Sequence, residues 1–72
     1  MMIKFKIKSI LKERELSIYW VAKHTNVSYP TVYNLVNNKT ESIAFYTLEE
    51  IMNALDIKDF NKIMTIKSDK ND

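Results

Sequence analysis

The side chains with most to offer a partner crowd into one short stretch. Tyr29, Pro30, Tyr33 and Asn34 lie close together, and Ser28, Thr31, Lys39 and Thr40 surround them. The chemistry available there is recognition by contact, not bond-making. A carboxamide such as Asn34 donates and accepts at once, matching the N6 and N7 edge of adenine in a duplex major groove. The competing reading makes Asn34 a solvated residue on a helix surface. A tyrosine hydroxyl at position 29 can reach a phosphate or a base, while its ring, like Pro30, suits a thymine methyl. Tyr33 stands between two roles, nucleic-acid contact and packing against the preceding helix.

Catalytic chemistry has little to build on. His24 is the only histidine and there is no cysteine, which leaves neither a thiolate metal site nor a nucleophilic triad. Glu49 and Glu50 are adjacent, so on a helix they point in different directions and do not form an acid–base pair. A chain without glycine has no Gly-rich phosphate loop. No catalytic residue, metal or cofactor is expected, and an enzyme is not.

The elements that must position these residues are two short helices and a turn between Leu16 and Thr40. The first, about 17–25, opens on Ser17 as N-cap and turns Val21 and Ala22 inward. The small residue at 22 lets two steeply crossing helices bring their backbones close. Asn26 is expected in a left-handed conformation at the turn, which asparagine tolerates better than other non-glycine residues. The second helix, about 28–37, starts on Ser28, whose hydroxyl is expected to accept the Thr31 amide hydrogen. Pro30 suits the first turn, where its missing amide hydrogen costs nothing. Val32, Leu35 and Val36 form its buried stripe, leaving Tyr29, Pro30, Tyr33 and Asn34 outward. Such a helix-turn-helix can set its second helix in the major groove.

Around this pair, Ile3, Phe5 and Ile7 alternate with lysines as in a short strand. The period then lengthens to give a helix over about 7–15. After a loop at 39–44, Leu48, Ile51, Met52 and Leu55 mark a helix over about 45–55, with Asp56 as its cap. A short helix near 59–63 contributes Phe60 and Ile63, and Met64–Thr65–Ile66 is a strand able to pair with Lys4–Phe5–Lys6. The expected fold class is all-α, a compact five-helix domain with a short terminal β-pairing. Residues 1–67 form this single domain, and 68–72 a frayed polar tail.

With 72 residues the chain affords one small core. No apolar run approaches the roughly 20 residues of a membrane span, and Met1–Met2–Ile3 runs into lysines without a signal-peptide core. A cytoplasmic protein is expected. Charge is unevenly spread: residues 1–40 carry seven cations against two anions, +5, and residues 41–72 four against seven, −3. A polyanion is therefore drawn to the part that contains the helix pair. For Lys4, Lys6 and Lys8 simple solvation of an exposed face is an equal reading. Trp20 and Tyr19 offer an aromatic platform for single strands, but in so small a domain a tryptophan here more often covers the core edge. Tyr19 lies toward a phosphate-facing edge, and Lys23 and His24 face solvent. The glycine-free, Lys-, Ile- and Asn-rich usage suggests an AT-rich genome, bacterial or phage.

The pattern L-S-x-x-x-V-A-x-x-T-N-V-S-x-x-T-V-x-N-L-x-N-N-K-T across Leu16–Thr40 resembles the lambda-repressor and Cro type of helix-turn-helix domain, the XRE type. More narrowly, it is similar to small stand-alone bacterial or phage members with a Y-W-[LV]-A second helix and an N-N-K-T exit. The resemblance spans about Ile3 to Phe60. It implies a lambda-repressor-like DNA-binding domain that binds duplex DNA, usually as a two-fold homodimer on a near-palindromic operator. Carried over by position, Tyr29, Pro30 and Asn34 reach base edges, and Ser28, Thr31, Lys39 and Thr40 lie near the sugar-phosphate backbone. Two positions depart from the family habit: Ile18 stands where a phosphate-binding glutamine is common, and Asn26 where the turn usually has glycine. The function implied is transcriptional regulation, with repression by promoter occlusion as the simplest action. The alternative is an antitoxin or other protein-binding module on the same fold, working through its acidic fourth helix and tail. Helix 5, the loop at Ile43–Phe45 and the terminal strands are the candidate dimer contacts.

Overall fold

In the computed structural model, which describes residues 2–67, the chain runs β1 (Met2–Phe5), α1 (Ile7–Glu13), α2 (Ile18–Lys23), α3 (Tyr29–Val36), α4 (Phe45–Ala54), α5 (Phe60–Ile63) and β2 (Met64–Lys67). The stretch 68–72, expected to fray, lies outside the described residues. The fold is thus mostly helical, five helices with the expected terminal β-pairing, whose two strands run antiparallel with Ile3 opposite Ile66 and Phe5 opposite Met64. The Lys6 amide donates to the Ile63 carbonyl at 2.7 Å, extending the ladder past β1.

The helices close on a wholly apolar centre. Ile7, Leu11, Val21, Val32, Leu35, Ile51, Leu55 and Ile63 are among its buried side chains, and no polar or charged residue among the described ones is buried. The stripes expected on the second helix of the pair and on the fourth helix supply four of these residues, Val32, Leu35, Ile51 and Leu55. One expected member is missing. Phe60 is 60% exposed while Ile63 is fully covered, because α5 is a single turn with only one face to bury.

The helix ends explain most differences between expected and observed boundaries. α1 stops at Glu13, not 15, since Glu15 takes a left-handed conformation at φ 56°. The Leu16 amide then drops back to the Leu11 carbonyl at 2.8 Å and Glu15 to Lys12 at 3.2 Å, the paired bonds of a Schellman end. α3 closes in the same way: Asn38 has φ 56°, with Lys39 to Asn34 at 2.8 Å and Asn38 to Leu35 at 3.1 Å. At the end of α4, Asp56 has φ 55°, with Ile57 to Met52 at 2.9 Å and Asp56 to Asn53 at 3.1 Å. Asp56 was expected as such a cap, and Glu15 was not.

α2 ends differently. Asn26 is not left-handed. The Thr25 hydroxyl bonds the Val21 carbonyl at 2.8 Å and accepts the Val27 amide at 3.2 Å, so a side chain builds the turn that Asn26 was expected to build. The Asn26 amide is taken by Glu50 Oε1 at 3.1 Å, which ties the turn to α4. α2 accordingly covers residues 18–23, shorter than the expected 17–25, and α3 covers 29–36 between caps at Ser28 and Asn37.

Candidate nucleic-acid interface

α2 and α3 form one packed unit, held by Val21 from the first and Val32, Leu35 and Val36 from the second, all buried. Ser17 caps α2 as expected, its Oγ accepting the Trp20 amide at 2.9 Å. Ser28 does not cap α3 through an amide. Its hydroxyl meets the Thr31 hydroxyl at 2.9 Å, a side-chain pair in place of the expected bond to the Thr31 amide. Pro30 sits in the first turn of α3, as its missing amide hydrogen allows.

The buried stripe turns the other side of α3 outward. Tyr29, Pro30, Tyr33 and Asn34 are all exposed, together with Ser28, Thr31 and Lys39, while Thr40 is half-buried. The structure brings several of these into one line. The Tyr29 and Tyr33 rings stack with centroids 6.5 Å apart, and the Lys39 ammonium lies 5.6 Å from the Tyr33 ring. A hydroxylated aromatic ridge therefore runs along α3 and ends in a cation. Tyr33, left between two roles by its sequence position, has Tyr29 and Lys39 as its aromatic and cationic neighbours. On α2, Tyr19 is exposed and paired with Lys23, whose ammonium lies 5.6 Å from the ring. Trp20 is half-buried against the core and stacks on His24 at 4.1 Å, which occupies the ring face a single-strand platform would need. Ile18 is likewise half-buried against the core and brings no polar group to the surface.

The first turn of α3 carries no acidic side chain, so its free amide groups and the positive end of its dipole remain available to an anion. Hydroxyls at 28, 29, 31 and 33, a carboxamide at 34 and an ammonium at 39 complete a surface suited to a polar, anionic, grooved partner. Nothing on it is arranged for bond-making. Among the described residues no group of three or more His, Asp or Glu side chains is placed to hold a metal ion.

Reading along the sequence missed the anchoring of α3 at its far end. The Asn38 side chain bonds both backbone groups of Phe5, and Lys8 Nζ reaches Asn37 Oδ1 at 3.3 Å. The partners are 33 and 29 positions apart, and no local pattern announces such pairs. The same holds for Glu50, which by sequence only fails to form an acid–base pair with Glu49 and in the fold latches the turn.

Compared with known families, residues 6–69 match the model of the Cro/C1-type HTH DNA-binding domain. No curated protein and no solved structure matches the chain.

Proposed function

The chain belongs to the Cro/C1-type helix-turn-helix DNA-binding family, and from that premise we propose that it is a sequence-specific transcriptional repressor acting by promoter occlusion. One observation carries the specificity: the exposed Tyr29–Pro30–Tyr33–Asn34 surface stands on the second helix of the pair, over a stripe that is fully buried. In this reading α3 enters the major groove with its first turn leading. Asn34 reads adenine through its carboxamide, and Tyr29, Pro30 and Tyr33 meet neighbouring base edges and thymine methyls. Ser28, Thr31, Tyr19, Lys39 and Thr40 hold the sugar-phosphate backbone, fixing register without reading sequence.

One copy presents one reading helix, and tight specific binding takes two half-sites about one helical turn apart. The proposed active form is therefore a homodimer on a near-palindromic operator. Exposed apolar side chains support it at each expected contact: Phe60 on α5, Phe45 beside the loop, and Ile3 with Ile66 on the strands. The site of action is the cytoplasm of a bacterial cell, the chain's own or one infected by its phage. Among the described residues no helix is long and apolar enough to cross a membrane.

Binding-site selection from a random duplex pool tests this directly. The expected result is a short AT-containing motif with dyad symmetry. Asn34→Ala should lose about 1–3 kcal/mol at one base position of each half-site. A pool without enrichment, or an Asn34→Ala profile equal to the parent's, overturns sequence readout. Bare aromatic rings at Phe45 and Phe60 favour a second reading, in which the same surface docks a different protein. Co-purification of a stoichiometric partner, with no salt-sensitive duplex affinity, would select it.

A further inference from the structure

We infer that Asn38 is a positioning residue for DNA binding: its side chain fastens strand β1 to the exit of α3 and thereby sets where Lys39 and Thr40 meet the phosphates. The inference rests on the reading of Lys39 and Thr40 as backbone contacts.

The geometry is that of a third strand reduced to one side chain. Because Lys6 bonds Ile63 in the antiparallel ladder, alternation turns the Phe5 amide and carbonyl to the other edge of β1, away from β2. Asn38 occupies that edge. Its Oδ1 accepts the Phe5 amide at 2.7 Å and its Nδ2 donates to the Phe5 carbonyl at 3.1 Å, so one carboxamide satisfies both backbone groups. Asn38 is also the left-handed residue of the α3 Schellman end. Its side chain holds β1 while its backbone sets the direction in which residues 39 and 40 leave the helix. The neighbouring groups reinforce the same joint. Asn37 Nδ2 donates to the Tyr33 carbonyl at 2.9 Å, and its Oδ1 accepts from Lys8 Nζ at 3.3 Å. The Lys39 amide is bound to the Asn34 carbonyl at 2.8 Å, and the Lys39 ammonium lies by the Tyr33 ring. Sheet, helix exit and cation are thus one mechanical unit, fastened on the helix side by a pair of asparagine side chains.

The test compares Asn38→Gly, which suits φ 56° and removes the carboxamide, with Asn38→Asp, which keeps an acceptor for the Phe5 amide. Lys39→Ala and the Asn38→Gly/Lys39→Ala double variant complete the set. Each is titrated against a random-sequence duplex pool over a range of salt, with hydrogen exchange at the Phe5 amide followed in parallel. Asn38→Gly should lose Phe5 protection and bind about tenfold more weakly near 0.1 M salt. Its salt slope should fall by about one, as for Lys39→Ala, since one phosphate contact is lost. The double variant should show no further fall in slope, and Asn38→Asp should lie between Asn38→Gly and the parent. Parental slope in Asn38→Gly despite lost Phe5 protection overturns the inference, as does weaker binding at unchanged slope, which assigns Asn38 to stability alone. If Asn38→Gly does not fold, parental slope in Asn38→Asp with reduced Phe5 protection overturns it equally. A parent chain with no salt-dependent duplex affinity instead overturns the DNA-contact reading beneath it.

Discussion

The face built by α2 and α3 exposes Tyr19, Tyr29 and Tyr33, whereas α4 and α5 expose Phe45 and Phe60, with a single tyrosine, Tyr46, next to Phe45 in the chain. The two sets differ in more than a hydroxyl. The tyrosines are organised: Tyr29 and Tyr33 stack on each other, Lys23 of α2 lies by the Tyr19 ring, and Lys39, beyond the end of α3, lies by the Tyr33 ring. They present polar tips on apolar bodies, a combination at ease in water and equally at ease against phosphate and base. Phe45 is 91% exposed and has no polar tip to satisfy. A bare ring in water is at odds with the hydrophobic effect and gains only when an apolar surface covers it. Aromatic exposure alone therefore says little about function; the polar handle and the nearby charge decide what kind of partner a ring can meet.

The largest test of this contrast asks what each face stands on. Leu35 is fully buried beneath the tyrosine ridge, so Leu35→Ala should cost about 2–5 kcal/mol of unfolding free energy in urea denaturation. Phe45→Ala should stay within about 0.5 kcal/mol. A Phe45→Ala cost as large as that of Leu35→Ala would show the phenylalanine to be structural and erase the distinction. A smaller effect separates the partners. Phe45→Ser combined with Phe60→Ser should weaken self-association by on the order of 2 kcal/mol. Sedimentation should then report the mass of one chain, while affinity for an isolated half-site is kept. An unchanged mass would remove these rings from the dimer contact. The smallest change converts one face toward the other. Tyr29→Phe keeps the ring and removes the hydroxyl, and should weaken specific duplex binding by about 0.5–1.5 kcal/mol with no change in stability. Parental affinity would mean that only the ring of Tyr29 is used.

Much of the molecule was legible along the chain because its cues are local. The stripes Val32–Leu35–Val36 and Leu48–Ile51–Met52–Leu55 name buried faces by spacing alone, and the alternation at Ile3, Phe5 and Ile7 marked β1. The outward set Tyr29, Pro30, Tyr33 and Asn34 followed as the complement of one stripe. Residue type proved a weaker guide to backbone conformation. Asparagine tolerates the left-handed region, yet Asn38 adopts it and Asn26 does not, while Glu15 does. What selects the site is whether the next amide must fold back onto the preceding turn, as Leu16 does onto Leu11. At Asn26 the Thr25 hydroxyl has already made the turn. Phe60 misled for a related reason, since an i, i+3 pair defines a face only when the helix is long enough to have two. The Asn38–Phe5 and Glu50–Asn26 bonds were beyond reach because they join segments that only the folded core brings together.

The three left-handed helix ends also bear on the state the chain leaves when it folds. Each holds a side chain where glycine would be free of strain, at a cost of about 1–2 kcal/mol for Glu15 and less for Asn38 and Asp56, whose short polar side chains suit the region. With no glycine anywhere, the unfolded chain in turn samples fewer backbone conformations and surrenders less entropy on ordering. Folding here starts from a stiffer ensemble, and some of the strain held at Glu15, Asn38 and Asp56 is balanced by freedom the chain never possessed.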